Sequence, residues 1–197
     1  MNIFKKIFGN TSEDDKDSQG SPYEPEINTP IDEKFTFNFK NNGGKFLYCE
    51  NLNELREQFE NILEENDWFE SQVLCHDDKL FSLLDENKLV YKDIETPKFF
   101  FTICEDLISD DGSILFSSKQ FKQYKANELP CDMVVFATTS QIVGNKSDGL
   151  RNIKKRYDKD YPSNITTIKY FEKAKEEDFL HYGSSHKNLY LLLLEDL

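Results

Sequence analysis

The sequence lacks the groupings by which most chemistry announces itself. Basic residues are scarce: 24 Lys and Arg face 37 Asp and Glu, a formal charge of −13, and the only arginines are Arg56, Arg151 and Arg156. An acidic chain of this kind is excluded as a general nucleic-acid or anionic-membrane binder, because phosphate recognition needs a basic surface. No apolar run approaches 18 residues and no secretory leader is recognisable, so no integral span is expected and the chain reads as cytoplasmic. The four cysteines, Cys49, Cys75, Cys104 and Cys131, lie 26, 29 and 27 residues apart, without a CxxC or paired-His spacing. That excludes the usual zinc and iron–sulfur patterns, and each cysteine reads as a small core hydrophobe in or beside an apolar run. Neither a Gly-rich dinucleotide fingerprint nor a P-loop occurs, and no nucleophile elbow supports hydrolysis. No metal or cofactor is expected.

Aromatic residues are what the chain has in quantity. The 17 Phe and nine Tyr in 197 residues predict one core dominated by ring packing. Ile3, Phe4, Ile7 and Phe8 form a miniature amphipathic stripe around Lys5 and Lys6, so residues 1–9 are read as a short peptide. It suits docking on a membrane surface or a partner; a frayed terminus is the plainer alternative. Residues 10–30 are acidic and rich in breakers, which predicts a disordered linker. A single α/β domain is expected over residues 31–197.

Within that domain, Phe35, Phe37 and Phe39 fit either a strand or, through Phe35 and Phe39, a helix face. Gly43-Gly44 breaks the segment before a short strand at 45–49. Asn51 with Glu54 predicts a capped helix, and Leu52, Leu55, Phe59, Ile62 and Leu63 supply its stripe. Strands are expected at 71–75 and 88–91, with a short helix at 77–85 between them. The central run 98–143 reads as a buried strand at 98–104, an acidic turn or helix, a strand opened by Asp110-Asp111-Gly112-Ser113, and a third strand at 133–136. Ser147 is placed as the cap of a helix carrying Leu150, Ile153 and Tyr157; strands follow at 164–168 and 188–194. Strands alternating with helices predict a three-layer α/β fold with a mainly parallel sheet, including 99–103, 113–117, 133–137 and 189–194.

These landmarks resemble the LUD domain, the lactate-utilisation protein B/C family, in its compact stand-alone form. The matching residues are Gly43-Gly44, then Ile108-Ser109-Asp110-Asp111-Gly112-Ser113 for an Ile-Ala-Glu-Thr-Gly-Thr turn. They continue with Leu129-Pro130 before Met133, Val134, Val135 and Phe136, the Ile142-Val143 pair, and Gly183 before the apolar 189–194 run. The resemblance covers about residues 35–197. It implies a fold like that of ribose-phosphate isomerases, glucosamine-phosphate deaminases and CoA transferases, with the site at the carboxyl ends of the strands. It also implies a role in organic-acid metabolism, lactate included, or in redox metabolism. The chain departs from the family at 171–180, where FEKAKEEDFL replaces a Gly-Pro-Ser-Arg/Lys-Thr-Ala-Asp-Ile stretch.

Candidate site residues follow from the loops. Asp110 and Asp111 precede a glycine, and either carboxylate is a candidate general base if burial raises its pKa; an Asx turn is the structural alternative. Gly112 and Ser113 complete that turn. Ser117, Ser118 and Lys119, and the run Thr138, Thr139, Ser140 and Gln141, offer hydroxyls and amides for a phosphate or carboxylate. Ordinary polar strand ends explain them equally. Arg151 is the arginine nearest the second group, with helix-surface solvation as its alternative. His76 reads as a helix-start residue and His186 as a loop residue before the last strand. Three functions are compatible with this set. The first is a LUD-type accessory or small-molecule-binding protein, with a small anionic metabolite or a protein as partner. The others are an isomerase or transferase acting on a sugar phosphate or acyl-CoA-like anion, and a scaffold tethered through residues 1–9.

Overall fold

The computed structural model describes residues 29–171 and 187–196. The 1–9 peptide, most of the 10–30 linker, and His181, Gly183 and His186 lie outside the described residues, as do all but Phe171 of the 171–180 departure.

Helix α1 (Ile31–Asn41) settles the ambiguous phenylalanines. Phe35 and Phe39 are buried while Phe37 is 66% exposed, which a helix permits and a strand, with all three on one face, does not. Asp32 and Glu33 in its first turn and Lys40 in its last suit the helix dipole. Gly44 lies directly beneath the Phe39 ring: a Cβ there would come within 2.3 Å of Phe39 Cζ. After β1 (Lys45–Cys49), helix α2 (Leu52–Asn66) is capped by Asn51 Oδ1, which accepts from the amides of Asn53 (2.9 Å) and Glu54 (3.0 Å). Glu54 reaches back one residue further than a capping box, accepting from the Glu50 amide.

The chain continues through β2 (Val73–Cys75), a 3₁₀ turn (Asp78–Leu80), α3 (Phe81–Glu86), β3 (Phe99–Ile103), β4 (Asp106–Ile108), β5 (Ser113–Ser117) and α4 (Ser118–Phe121). It closes with β6 (Asp132–Thr138), a 3₁₀ turn (Thr139–Gln141), β7 (Ile142–Val143), α5 (Lys146–Tyr157), β8 (Ile165–Ile168) and β9 (Asn188–Leu194). Five strands form an all-parallel sheet in the order β1-β9-β6-β3-β2. Helices α2 and α3 cover one face, where Phe59, Leu63 and Leu84 meet Phe99, Phe101, Val134 and Leu192. The other face carries Phe100, Met133, Val135 and Leu191, packed against Phe35 and Phe39 of α1 and against Leu107, Ile114 and Phe116. The alternation of Phe99 and Phe101 with Phe100 therefore loads both faces of one strand, as a parallel sheet requires. The three-layer α/β reading with a mainly parallel sheet holds.

Four expectations need correction. Residues 113–117 belong to a second sheet, β7-β4-β5-β8, in which β5 runs antiparallel to both β4 and β8. Only residues 104–112 separate β3 from β5, too few for a parallel crossover, so the chain makes a hairpin instead. The acidic turn or helix is accordingly strand β4. The expected strand at 88–91 reduces to a single bridge between Gln72 and Val90 at the sheet edge. The cap of α5 is Asn145, not Ser147, because Asn145 is extended and its side chain accepts from the Asp148 amide.

Phe39 is fully buried, its ring 5.5 Å from that of Phe35 and 4.8 Å from that of Phe171. Phe39→Ala should lower unfolding free energy by about 3–5 kcal/mol. Urea denaturation followed by circular dichroism measures this; a loss below about 1 kcal/mol would contradict the packing described.

Candidate functional site

The three segments nominated by the sequence fall at two ends of the second sheet. Ser113 opens β5 and Ser117 ends it, so they stand about 13 Å apart along the strand. A single cleft lined by all three segments is therefore corrected to two separate places.

At one end, the 110–113 turn is closed against α1. Asn38 Nδ2 donates to the carbonyls of Ser109 (2.8 Å) and Asp110 (3.2 Å), and Asn42 Nδ2 donates to that of Asp111 (2.7 Å). Gly112 has φ +66°, and a Cβ there would lie 2.4 Å from both Asn38 C and Phe39 N. Asp111 Oδ1 accepts from the Ser113 amide (3.1 Å) and hydroxyl (2.5 Å), and Oδ2 pairs with Lys146 at 3.1 Å. Partial burial works against ionisation of Asp111, but these hydrogen bonds and the Lys146 charge outweigh it and hold the carboxyl below its ordinary value. A general base at neutral pH needs the opposite shift. Asp110 is half exposed and paired with Lys34 at 2.7 Å. The structural alternative describes both residues: Asp111 forms the Asx turn, and Asp110 a surface ion pair.

The other end sits at the carboxyl edge of the parallel sheet. Ser117 caps α4 and is 2% exposed; its hydroxyl donates to Glu105 Oε1 at 2.6 Å. Gln120 Nε2 and the Tyr157 hydroxyl donate to the same oxygen, both at 3.0 Å, and Arg156 donates to Oε2 at 2.5 Å. Gln141 Nε2 donates to the carbonyls of Cys104 (2.9 Å) and Glu105 (3.1 Å). Glu105 thus joins two nominated groups, Ser117 and Gln141, which the sequence placed apart. Beside it Asp106, 1% exposed, accepts from Asn152 Nδ2 at 3.2 Å through Oδ1 and lies 3.7 Å from Arg156. Burial pushes its carboxyl up to about 6; Asn152 and Arg156 oppose the rise and the Glu105 charge adds to it. The sequence signal for this pair was available: two acids directly at the end of the FFFTIC run.

Thr138, Thr139 and Ser140 already hold a carboxylate, that of Asp196 beyond β9. Oδ1 accepts from Thr139 Oγ1 (2.8 Å) and from the Ser140 amide (2.9 Å), and Oδ2 accepts from Ser140 Oγ (2.7 Å). Slight burial works against ionisation, but these donors outweigh it and hold Asp196 at about 2. Two residues down β6, about 7 Å away, Phe136 floors a pocket of about 130 Å³ between α2 and α3. Leu52, Arg56, Lys79, Ser82 and Phe101 also line it, and Arg56 Nε donates to Glu86 Oε2 at 3.0 Å across its mouth. The remaining nominees are peripheral. Ser118 Oγ accepts from the Ser163 amide (3.0 Å), Lys119 pairs with Asp160, and Arg151 is an exposed partner of Asp148 on α5. His76 packs face to face with Tyr124 at 6.0 Å, and burial, reinforced by the Lys122 charge, lowers its pKa. Among the described residues no group of three or more His, Cys, Asp or Glu could hold a metal ion, and no helix is long and apolar enough to cross a membrane.

The closed turn makes a sharp contrast between neighbours. Gly112→Ala should cost about 2–4 kcal/mol, combining positive-φ strain with a clash against helix backbone. Asp111→Asn keeps the oxygen that caps Ser113 and should cost under about 1 kcal/mol. Chemical denaturation of the two variants checks both; equal losses would contradict the Asx-turn geometry.

Comparison with known proteins bears on the fold. No family model matches the sequence, and no curated protein matches it. Among solved structures, a DUF162 family protein from Deinococcus radiodurans aligns with a TM-score of 0.60 at 12% identity, over 84% of this chain and 96% of that one. The chain is similar to that protein in fold.

Proposed function

We propose that this protein is a LUD-type accessory protein that binds a small organic anion, a hydroxy acid such as lactate being the first candidate, at the carboxyl edge of its parallel sheet. The observation that carries this reading is the Asp196 carboxylate lodged among the Thr139 and Ser140 donors, which gives the 138–141 loop the stereochemistry of a carboxylate receptor. The pocket two residues down β6 has an apolar floor of Phe101 and Phe136, with Arg56 and Lys79 at its side. An apolar recess with few polar groups at this edge of an open α/β sheet is where such folds bind ligands. The fold likeness to a DUF162 family protein, DUF162 being related to the LUD domain, agrees with the sequence landmarks at Gly43-Gly44, Ile108 to Ser113 and Leu129-Pro130. In this reading residues 31–197 are the working unit in the cytoplasm, residues 10–30 a linker, and residues 1–9 the contact to a protein or membrane surface. Binding ranks above catalysis because Asp110 and Asp111, the carboxylates nominated for proton transfer, are engaged in the closed turn and its surface pair.

A thermal-shift screen of the full chain against L-lactate, other hydroxy acids, sugar phosphates and CoA esters tests this directly. A ligand at 100 times its Kd adds about 2.7 kcal/mol of stability. The shift should disappear in Arg56→Ala and persist in Arg151→Ala, whose guanidinium points along α5 to Asp148. No shift with any of these anions, or an equal shift in Arg56→Ala, would refute the assignment.

A further inference from the structure

The seam between α5 and the second sheet contains an ionic imbalance. Two carboxylates, Glu105 and Asp106, are each 1% exposed, and one guanidinium, Arg156, serves both. Glu105 is saturated: its two oxygens accept from Ser117, Gln120, Tyr157 and Arg156. Asp106 is not. Its Oδ1 has Asn152 at 3.2 Å and Arg156 at 3.7 Å, whereas its Oδ2 is buried with no hydrogen-bond partner among the described residues. With both acids ionised the cluster carries a net charge of −1 inside the protein, and an unpaired buried charge is expensive. One proton on Asp106 brings the cluster to neutrality.

We propose that Asp106 is a proton-uptake site that sets how tightly α5 seats on the second sheet: tight when Asp106 is protonated, loosened when it is ionised. The packing explains why α5 would feel the charge. Asp106 lies under α5 near Gly149, where an added Cβ would be 3.7 Å from Asp106 Cβ and 2.9 Å from Leu115 Cδ2. Helix and strand are therefore in close contact and have little room for hydration. Among the described residues, the ionisable or charged groups around Asp106 are Glu105 and Cys104 from its own stretch of chain and Arg156 from α5, with Tyr157 of α5 on Glu105 and, behind it, Lys119 of α4 with Nζ 5.4 Å from the ring centre. Ser117 and Gln120 contribute only neutral donors, already committed to Glu105. The seam also reaches the carboxyl edge, because the Glu105 carbonyl accepts from both Arg156 (3.4 Å) and Gln141 (3.1 Å). A change in how Arg156 divides itself between the two acids therefore bears on the anchor of the 138–141 loop. This inference stands on the cluster alone and requires no ligand.

The linkage has a definite sign. Asp106 titrates higher in the folded chain, about 6, than its ordinary 3.8, so the native state holds the extra proton between these values. Its contribution to stability is complete below 3.8 and is lost as pH rises through about 6. Carbon-13 carboxyl titration of the full chain should give Asp106 a midpoint near 6. Amide exchange within α5, corrected for its intrinsic pH dependence and referenced to β9, should accelerate across the same interval. Asp106→Asn should abolish that acceleration, and its Tm advantage over the native sequence should grow between pH 4 and 6.5 and then level off (roughly the interval between the two values). Arg156→Gln, which removes the cation, should move the midpoint upward by about one pH unit; it carries the test if Asp106→Asn fails to fold. A midpoint below about 4.5, exchange in Asp106→Asn that follows pH as in the native chain, or an unchanged or lowered midpoint in Arg156→Gln would each overturn the proposal.

Discussion

The buried carboxylate of Glu105 is the constraint on which the rest of the arrangement turns. It stands where the chain leaves the parallel sheet after β3 and begins the second sheet at β4. A carboxylate in that position must be surrounded by donors, and the donors come from three directions: Ser117 at the end of β5 and Gln120 on α4, Tyr157 and Arg156 on α5, and Gln141 on the backbone carbonyl. Each donor fixes the element that carries it. Leaving a buried acceptor of this kind without one of its donors costs about 1–3 kcal/mol, so the junction also sets the register of the hairpin and the seat of α5.

Around this polar junction the core is almost wholly apolar and largely aromatic. Trp68 stacks on Phe99 at 4.5 Å and Phe59 on Phe101 at 4.8 Å on one face, while Phe116 and Phe121 stack at 4.8 Å on the other. Rings of this size fill the space between layers that are joined by short connections. Gly44 and Gly112 allow the closest approaches, one under the Phe39 ring and the other against the backbone of α1. Against a formal charge of −13, Arg56 and Lys79 are basic groups that line the recess between α2 and α3.

The two ends of the second sheet show how similar residues acquire different roles. Asp111 and Asp196 are both carboxylates held below their ordinary pKa by hydroxyl and amide donors. Asp111 closes a turn with the serine two positions on, a local affair that any chain with that sequence can form. Asp196 crosses from the end of β9 to the end of β6, and its donors are 56 and 57 residues away. Asp106, five residues before Asp111, does the reverse, held above its ordinary value because burial outruns its donors.

Local chemistry was legible in the sequence. The Asn51 cap and the Leu55, Phe59, Ile62 stripe gave α2, the apolar runs gave β3, β6 and β9, and Asp111-Gly112-Ser113 gave the turn, because each depends on neighbours within a few residues. Parallel pairing and coverage of both sheet faces followed from the continuous apolar runs. Which strands belonged to which sheet did not: residues 113–117 are as apolar as a central strand, and only the shortness of the 104–112 connection diverts them into a hairpin. The site was legible as residue types, hydroxyls at strand ends and acids at turns, but not as partnerships. Glu105 with Arg156, and Asp196 with Ser140, are separated by 51 and 56 residues, and no local pattern encodes a contact of that span. The sequence by itself determined most of the elements and the Asn51 cap of α2; the tertiary structure alone decided which carboxylates are buried, because burial depends on what the distant chain lays over them.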